Sequence, residues 1–183
     1  MAPLTVAVAA HGIVQRVEMI LFMPGMAFGM ASGVLVGQNL GAGQPARAER
    51  SAWLAVGLVE GIVVISSVVI LVWAESIVRI FNTEPALVLV AARFLRIAVA
   101  GYVMMGFMAV LMSALSGAGD TVPPMIISVV TMGVFTLPLA YFLMNYTALG
   151  VEGVRWAMVA GMVMAAFAFI IYFRTGRWKR KRV

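Results

Sequence analysis

Five apolar stretches, each long enough to cross a bilayer, divide this 183-residue chain and leave little over for any water-soluble domain. A spanning helix needs ~20 predominantly apolar residues, so every stretch must satisfy its own backbone hydrogen bonds, which only a helix can do alone. The stretches run over about 13–38, 52–73, 84–115, 122–146 and 151–173, after an apolar stub at 1–10. The expected fold class is all-α, a polytopic membrane helix bundle of about five complete spans plus an N-terminal stub. Composition agrees: 63% of residues are hydrophobic and 11% charged, against roughly 45–50% and ~25% in soluble domains. Water-soluble enzymes and disordered regulators are excluded.

The breaks between stretches carry recognisable chemistry. LGAGQPARAERS follows the first, where glycines suit a helix end and Pro45 cannot continue one. Asn82 or Thr83 can cap the third helix with Pro85 in its first turn, and Asp120 or Thr121 can cap the fourth ahead of Pro123 and Pro124. The third stretch exceeds what a bilayer requires, so its first turns lie in the interface or in protein. Pro138 falls inside the fourth and removes a backbone hydrogen bond, which predicts a kink and a hinge candidate. Trp73, Trp156 and Trp178 fall near helix ends, where amphipathic rings prefer to sit.

Charge sets orientation. The net charge is +6, and six of the 13 basic residues lie in the last ten positions, so residues 174–183 form a basic tail suited to a membrane surface and not to nucleic acid. Together with Arg47 and Arg50, the tail marks its side as cytoplasmic by the excess of basic residues. With no cysteine and one histidine, His11, thiolate chemistry and His-rich metal clusters are out. No nucleotide loop, HExxH or Ser/His/Asp arrangement is present, so no enzyme is expected.

Two periodic features concern packing. Gly25, Gly29, Gly33, Gly37 and Gly41 recur every four residues along the first helix, and Gly153, Ala157, Gly161 and Ala165 repeat the device in the last. Small residues at this spacing let helix backbones approach closely in lipid. Met26 and Met30 on the first helix and Met105, Met108 and Met112 on the third are cavity-lining candidates, because thioethers adapt to irregular apolar shapes; plain packing or lipid contact would give the same pattern.

Ionisable residues inside a membrane are costly and call for a reason. Glu60 is the only one clearly mid-helix. It either takes part in ion coupling or pairs with a basic group, or it is a neutral acid hydrogen-bonded to a neighbour. Arg93 and Arg96 share a helix face, where they snorkel or pair with Glu84, and Arg16 and Glu18 fit simple interfacial solvation.

The run AAHGIVQRVEMILFMPGMAFGMASGVLVGQNLGAGQPA at 9–46, together with LSGAGDTVPPMIIS at 115–128, resembles the second half of a MATE transporter, the multidrug and toxic compound extrusion family. Pro24, Gly25, Gly37, Gln38, Asn39, Gly41, Ala42 and Gly43, then Gly117, Gly119, Asp120, Thr121 and Pro124, carry the likeness. The resemblance implies a lobe at 1–173 of a twelve-helix, two-lobed fold in the bacterial inner membrane. It implies export of small organic cations in exchange for protons or sodium ions, with no bound cofactor. It further implies an N-terminal lobe that these residues do not contain, including the family's coupling aspartate, so this chain alone is expected not to transport. A flippase for lipid-linked saccharides from the same superfamily, with Arg93 and Arg96 facing the cavity, is the alternative. A non-transporting half-subunit pairing with a separate lobe is the other.

Overall fold

The computed structural model describes residues 3–180, and all their regular elements are helical. Helix α1 spans Pro3–Gly41, α2 Pro45–Arg79, α3 Pro85–Gly117, α4 Val122–Tyr146 and α5 Val151–Arg174, followed by a 3₁₀ turn at Arg177–Arg180. Each of the five helices is long and apolar enough to cross a membrane. Helix α3 is the hub, packing on α1, α2 and α5, whereas α4 leans mainly on α5. The side chains show the difference: Leu87, Val88, Ala91, Ala92, Leu95 and Leu111 of α3 are buried, while most apolar residues of α4 face outward. The first turns of α3 therefore lie in protein.

The stub expected at 1–10 is not a separate element. From Pro3 it runs without interruption into α1, giving a helix of 39 residues and ~58 Å. Gly12 is the only helix-weakening residue near the expected boundary, and one glycine costs about 1 kcal/mol, too little to end a helix whose Val6, Ala7, Ala10, Ile13 and Val14 are all buried. Helix α2 likewise extends past the expected end and bends at Trp73, whose φ of −113° and ψ of 22° are not helical.

Helix α4 departs from regularity ahead of Pro138. Residues Val130–Thr136 form a π-helical stretch between α-helical halves. Pro138 is the second residue of the lower half, where its missing N–H is tolerated, and the wider turn upstream replaces the sharp kink expected at the proline. The Thr136 hydroxyl donates to the Thr131 carbonyl at 2.9 Å and fills one of the gaps this widening leaves. Thr136 also sits against Gly161 of α5, where a Cβ would meet its Oγ1.

The α1–α3 contact is made through backbone. A Cβ on Gly29 would lie 3.1 Å from the Ala109 carbonyl oxygen, on Gly33 2.8 Å from that of Ser113, and on Gly37 2.9 Å from that of Gly117. A Cβ on Gly117 would clash with the Gly33 carbonyl oxygen. The stripe is shorter than its sequence period: Gly25 reaches only Val59 at an ordinary 3.8 Å, and Gly41 has no neighbour within 4 Å. In α5, Gly153 meets the Leu143 backbone of α4. Gly117→Ala should thus lower stability by roughly 1–3 kcal/mol through overpacking, whereas Gly57→Ala, with open space around it, should raise it by up to ~1 kcal/mol. Unfolding midpoints of both variants in detergent check the sign of each effect.

Candidate functional site

Three polar residues lie on one face of α1. His11, Gln15 and Glu18 follow i, i+4, i+7 spacing, so they line up toward α3 and α5. Glu18 is only 13% exposed and Arg155, from the first turns of α5, only 5%. Arg155 Nη1 lies 3.1 Å from Glu18 Oε1, and the Tyr102 hydroxyl of α3 donates to the same oxygen at 3.2 Å. The guanidinium also stacks over Phe94, 5.4 Å from the ring centroid. His11, Gln15, Glu18 and Arg155 border a cavity of about 170 Å³ with Ala98 and Met162. Glu18 is thus a buried partner in an ion pair and not an interfacially solvated end. Its spacing with His11 was readable in the sequence, but the partners, 84 and 137 residues away, were not.

Glu60 sits in a slot between α2 and α3. Its Oε1 accepts the Phe107 backbone N–H at 3.0 Å, and its Oε2 is buried without a hydrogen-bond partner among the described residues. Gly106 makes this possible, because a Cβ there would fall 2.5 Å from Glu60 Oε1 and 2.9 Å from Val59 Cγ1. Sequence reasoning missed Gly106, which belongs to no glycine period.

The methionine candidates separate. Met108 lines an apolar cavity of about 360 Å³ between α3, α4 and α5, with Met132, Met158 and Met162, and with the hydroxyl-bearing Ser128 and Thr131 at its edge. Met105 is buried in helix packing and borders none of the described cavities, because α3 turns that face inward. Met26 and Met30 are 64% and 69% exposed on the outer face of α1, and Met112 is also exposed. Of the five, Met108 alone lines one of the described cavities.

Arg93 and Arg96 do not pair with Glu84. Arg93 lies 3.8 Å from Glu152 of α5, and Arg96 lies 3.7 Å from Glu75, which also holds Arg79 at 3.9 Å. Helix α5 runs parallel to α3, so that its start places Glu152 beside Arg93, and Glu75 comes from the last turns of α2; helix spacing alone could not disclose either pairing.

At the opposite end, the two Gly-Ala-Gly turns have the same hydrogen bonds. Ala42, Gly43 and Gln44 N–H groups donate to the carbonyls of Gln38, Leu40 and Asn39, while Ala118, Gly119 and Asp120 donate to those of Ala114, Ser116 and Leu115. Gly43 and Gly119 take φ of +70° and +73°, the left-handed conformation that closes a helix. Both turns lie at one end of the bundle, since Gly37 abuts Gly117. The Asn39 amide donates to the Leu35 carbonyl at 2.7 Å. Asp120 is buried, and its carboxylate accepts the Tyr172 hydroxyl at 2.5 Å.

The described part of the basic tail is docked. Trp178 is fully buried, stacked on Phe173 at 4.6 Å between ring centroids, with its indole N–H donating to the Phe173 carbonyl at 2.8 Å. It therefore sits in protein and not at a lipid interface, as Trp73 and Trp156 still can with their exposed rings. Lys179 binds Glu49 of α2 at 2.6 Å. Lys181 and Arg182, also counted in the tail, lie outside the described residues.

A hub helix, backbone-close glycine contacts and charges paired inside an apolar bundle define a multi-pass helical membrane protein lobe. The MatE family model matches residues 5–142. The chain belongs to the MatE family. The probable multidrug resistance protein NorM of Thermotoga maritima is 27% identical over 180 residues, 97% of this chain and 38% of that protein. The multidrug resistance protein NorM of Burkholderia vietnamiensis is 32% identical over 165 residues, 87% and 36% of the two. Among solved structures, a MATE family transporter in an outward-facing conformation superimposes with a TM-score of 0.86 at 20% identity, over 93% of this chain and 40% of that one. An inward-facing one gives 0.84 at 20% identity, over 92% and 39%. The chain thus spans less than two-fifths of the length of these curated relatives.

Removing Arg155 would leave the Glu18 carboxylate buried without its counter-charge. Arg155→Ala should cost roughly 3–5 kcal/mol, and adding Glu18→Gln should recover a large share of that loss. A double-mutant cycle on unfolding in detergent measures the coupling; strictly additive losses would show that the two groups do not act as a pair.

Proposed function

We propose that this chain forms one lobe of a secondary active exporter of small organic cations, driven by protons or sodium ions, and that it is inactive without the lobe it faces. The observation that carries the reading is that the same fold matches family structures captured facing inward and facing outward almost equally well. A lobe that keeps its fold in both states moves as a body, which is the geometry of alternating access by rocking. The names of the relatives, multidrug resistance proteins, support a drug substrate.

The outer face of α1, with Met19, Met23, Met26 and Met30 exposed along one side, is the surface we assign to the substrate path, since thioethers accommodate ligands of varied shape. Glu60 is the coupling candidate: one oxygen is held by the Phe107 N–H while the other lacks a partner among the described residues and can take up or release a proton or ion. The π-helical stretch before Pro138 is the place where α4 can flex. The flippase alternative needs cations on the cavity wall, and Arg93 and Arg96 are instead engaged with Glu152 and Glu75. By this reading the C-terminal end is cytoplasmic and the membrane is the bacterial inner membrane.

In liposomes, the chain alone is expected to show no ion-driven dye movement; robust exchange overturns the two-lobe reading. In the complete transporter, Glu60→Gln should leave the protein folded and abolish ion-driven efflux of a cationic dye, and Pro138→Ala should change turnover more than expression. Efflux at the unaltered rate in Glu60→Gln removes Glu60 from the coupling step.

A further inference from the structure

The ion pair uses only part of Arg155. Its Nη1 is held by Glu18, but Nε and Nη2 are buried and have no hydrogen-bond partner among the described residues, on a side chain that is 5% exposed. Nε–H and Nη2–H are parallel donors on one edge of a planar guanidinium, the edge that matches the two oxygens of a carboxylate or two of a phosphate. Leaving such donors unpaired in an apolar interior is costly, more so than for neutral groups.

The surroundings favour an acceptor as the missing partner. Arg155 borders the cavity of about 170 Å³ beside His11 and Gln15, which can each donate a hydrogen bond. The one acid there, Glu18, already takes two donors on a single oxygen, from Arg155 and Tyr102. Its charge is offset by Arg155 itself, and the cavity is left with donors in excess. The volume suits a small group and not a drug-sized molecule. Phe94 covers one face of the guanidinium, and the N–H bonds of the fork point along its plane.

We propose that Arg155, with His11 and Gln15, forms a site for a small oxyanion, a carboxylate or phosphate group seated on the Nε/Nη2 edge between α1, α3 and α5. The site stands independently of the transport reading, because it requires neither Glu60 nor a second lobe. The oxyanion comes either from a soluble anion or from the headgroup of an anionic lipid.

Saturation-transfer NMR on the full chain in neutral detergent, with acetate as the probe and inorganic phosphate as competitor, tests this. The expected result is a saturable acetate signal that phosphate displaces and that falls roughly tenfold in Arg155→Lys, which keeps the charge and removes the fork. A signal that does not saturate, or that survives in a folded Arg155→Lys variant, overturns the proposal. Should that variant not fold, Gln15→Glu decides in its place, since an added carboxylate on an exposed residue at the cavity competes for the fork or repels the anion. Loss of the acetate signal supports the site, and an unchanged signal overturns it. Titrating phosphatidylglycerol into the micelles separates the sources: displacement of acetate assigns the fork to a lipid headgroup, and persistence assigns it to a soluble anion.

Discussion

Everything else in this lobe depends on how closely α1 lies against α3. The contact is backbone to backbone, with the α-carbons of Gly29, Gly33 and Gly37 set against the carbonyls of Ala109, Ser113 and Gly117. In lipid no hydrophobic expulsion drives helices together, so dispersion and weak polar contacts over a close interface must suffice, and glycine permits the required approach. Helices α2 and α5 pack against the same α3. The same docking sets Glu18 opposite Tyr102, and α5 then delivers Arg155.

The charges follow a consistent logic. Near the end away from the Gly-Ala-Gly turns, exposed arginines meet exposed glutamates at 3.7–3.9 Å, contacts worth little in stability. Deeper, Glu18 and Arg155 are nearly inaccessible, and there the desolvation cost of each ion is large enough that neither is tolerable without the other. Glu60 represents a different solution, a carboxyl group in a slot that a glycine opens and a helix N–H partly satisfies. Glu18 is held by two side-chain donors on one oxygen, whereas Glu60 has a single backbone donor and a second oxygen with no partner among the described residues.

Much of the fold was legible because membrane spans impose length and apolarity on contiguous residues, and helix ends need specific turn chemistry. The two Gly-Ala-Gly turns were visible as a repeat, and their matching hydrogen bonds follow from residues a few positions apart. Boundaries were less legible. The absence of a break after residue 10 depends on Val6, Ala10 and Val14 finding partners on other helices. The π-helical stretch at Val130–Thr136 lies upstream of Pro138 because a proline neither donates to nor accommodates the carbonyl four residues earlier, here that of Val134.

What the sequence alone determined was the class of solution: five helices, a membrane environment, glycine-mediated contacts, Gly-closed turns and the family to which they belong. Periodicity and local turn preferences act over a few residues, so one chain read linearly discloses them. The tertiary structure alone decided the pairings. Arg93 and Arg96 found Glu152 and Glu75 instead of Glu84, Trp178 turned inward onto Phe173, and Gly106 proved to be the residue that admits Glu60. Each of these joins residues on different helices or beyond a helix end, and the energy of a buried polar group depends on which partner the packing brings within about 3 Å, a distance that no spacing along the sequence encodes.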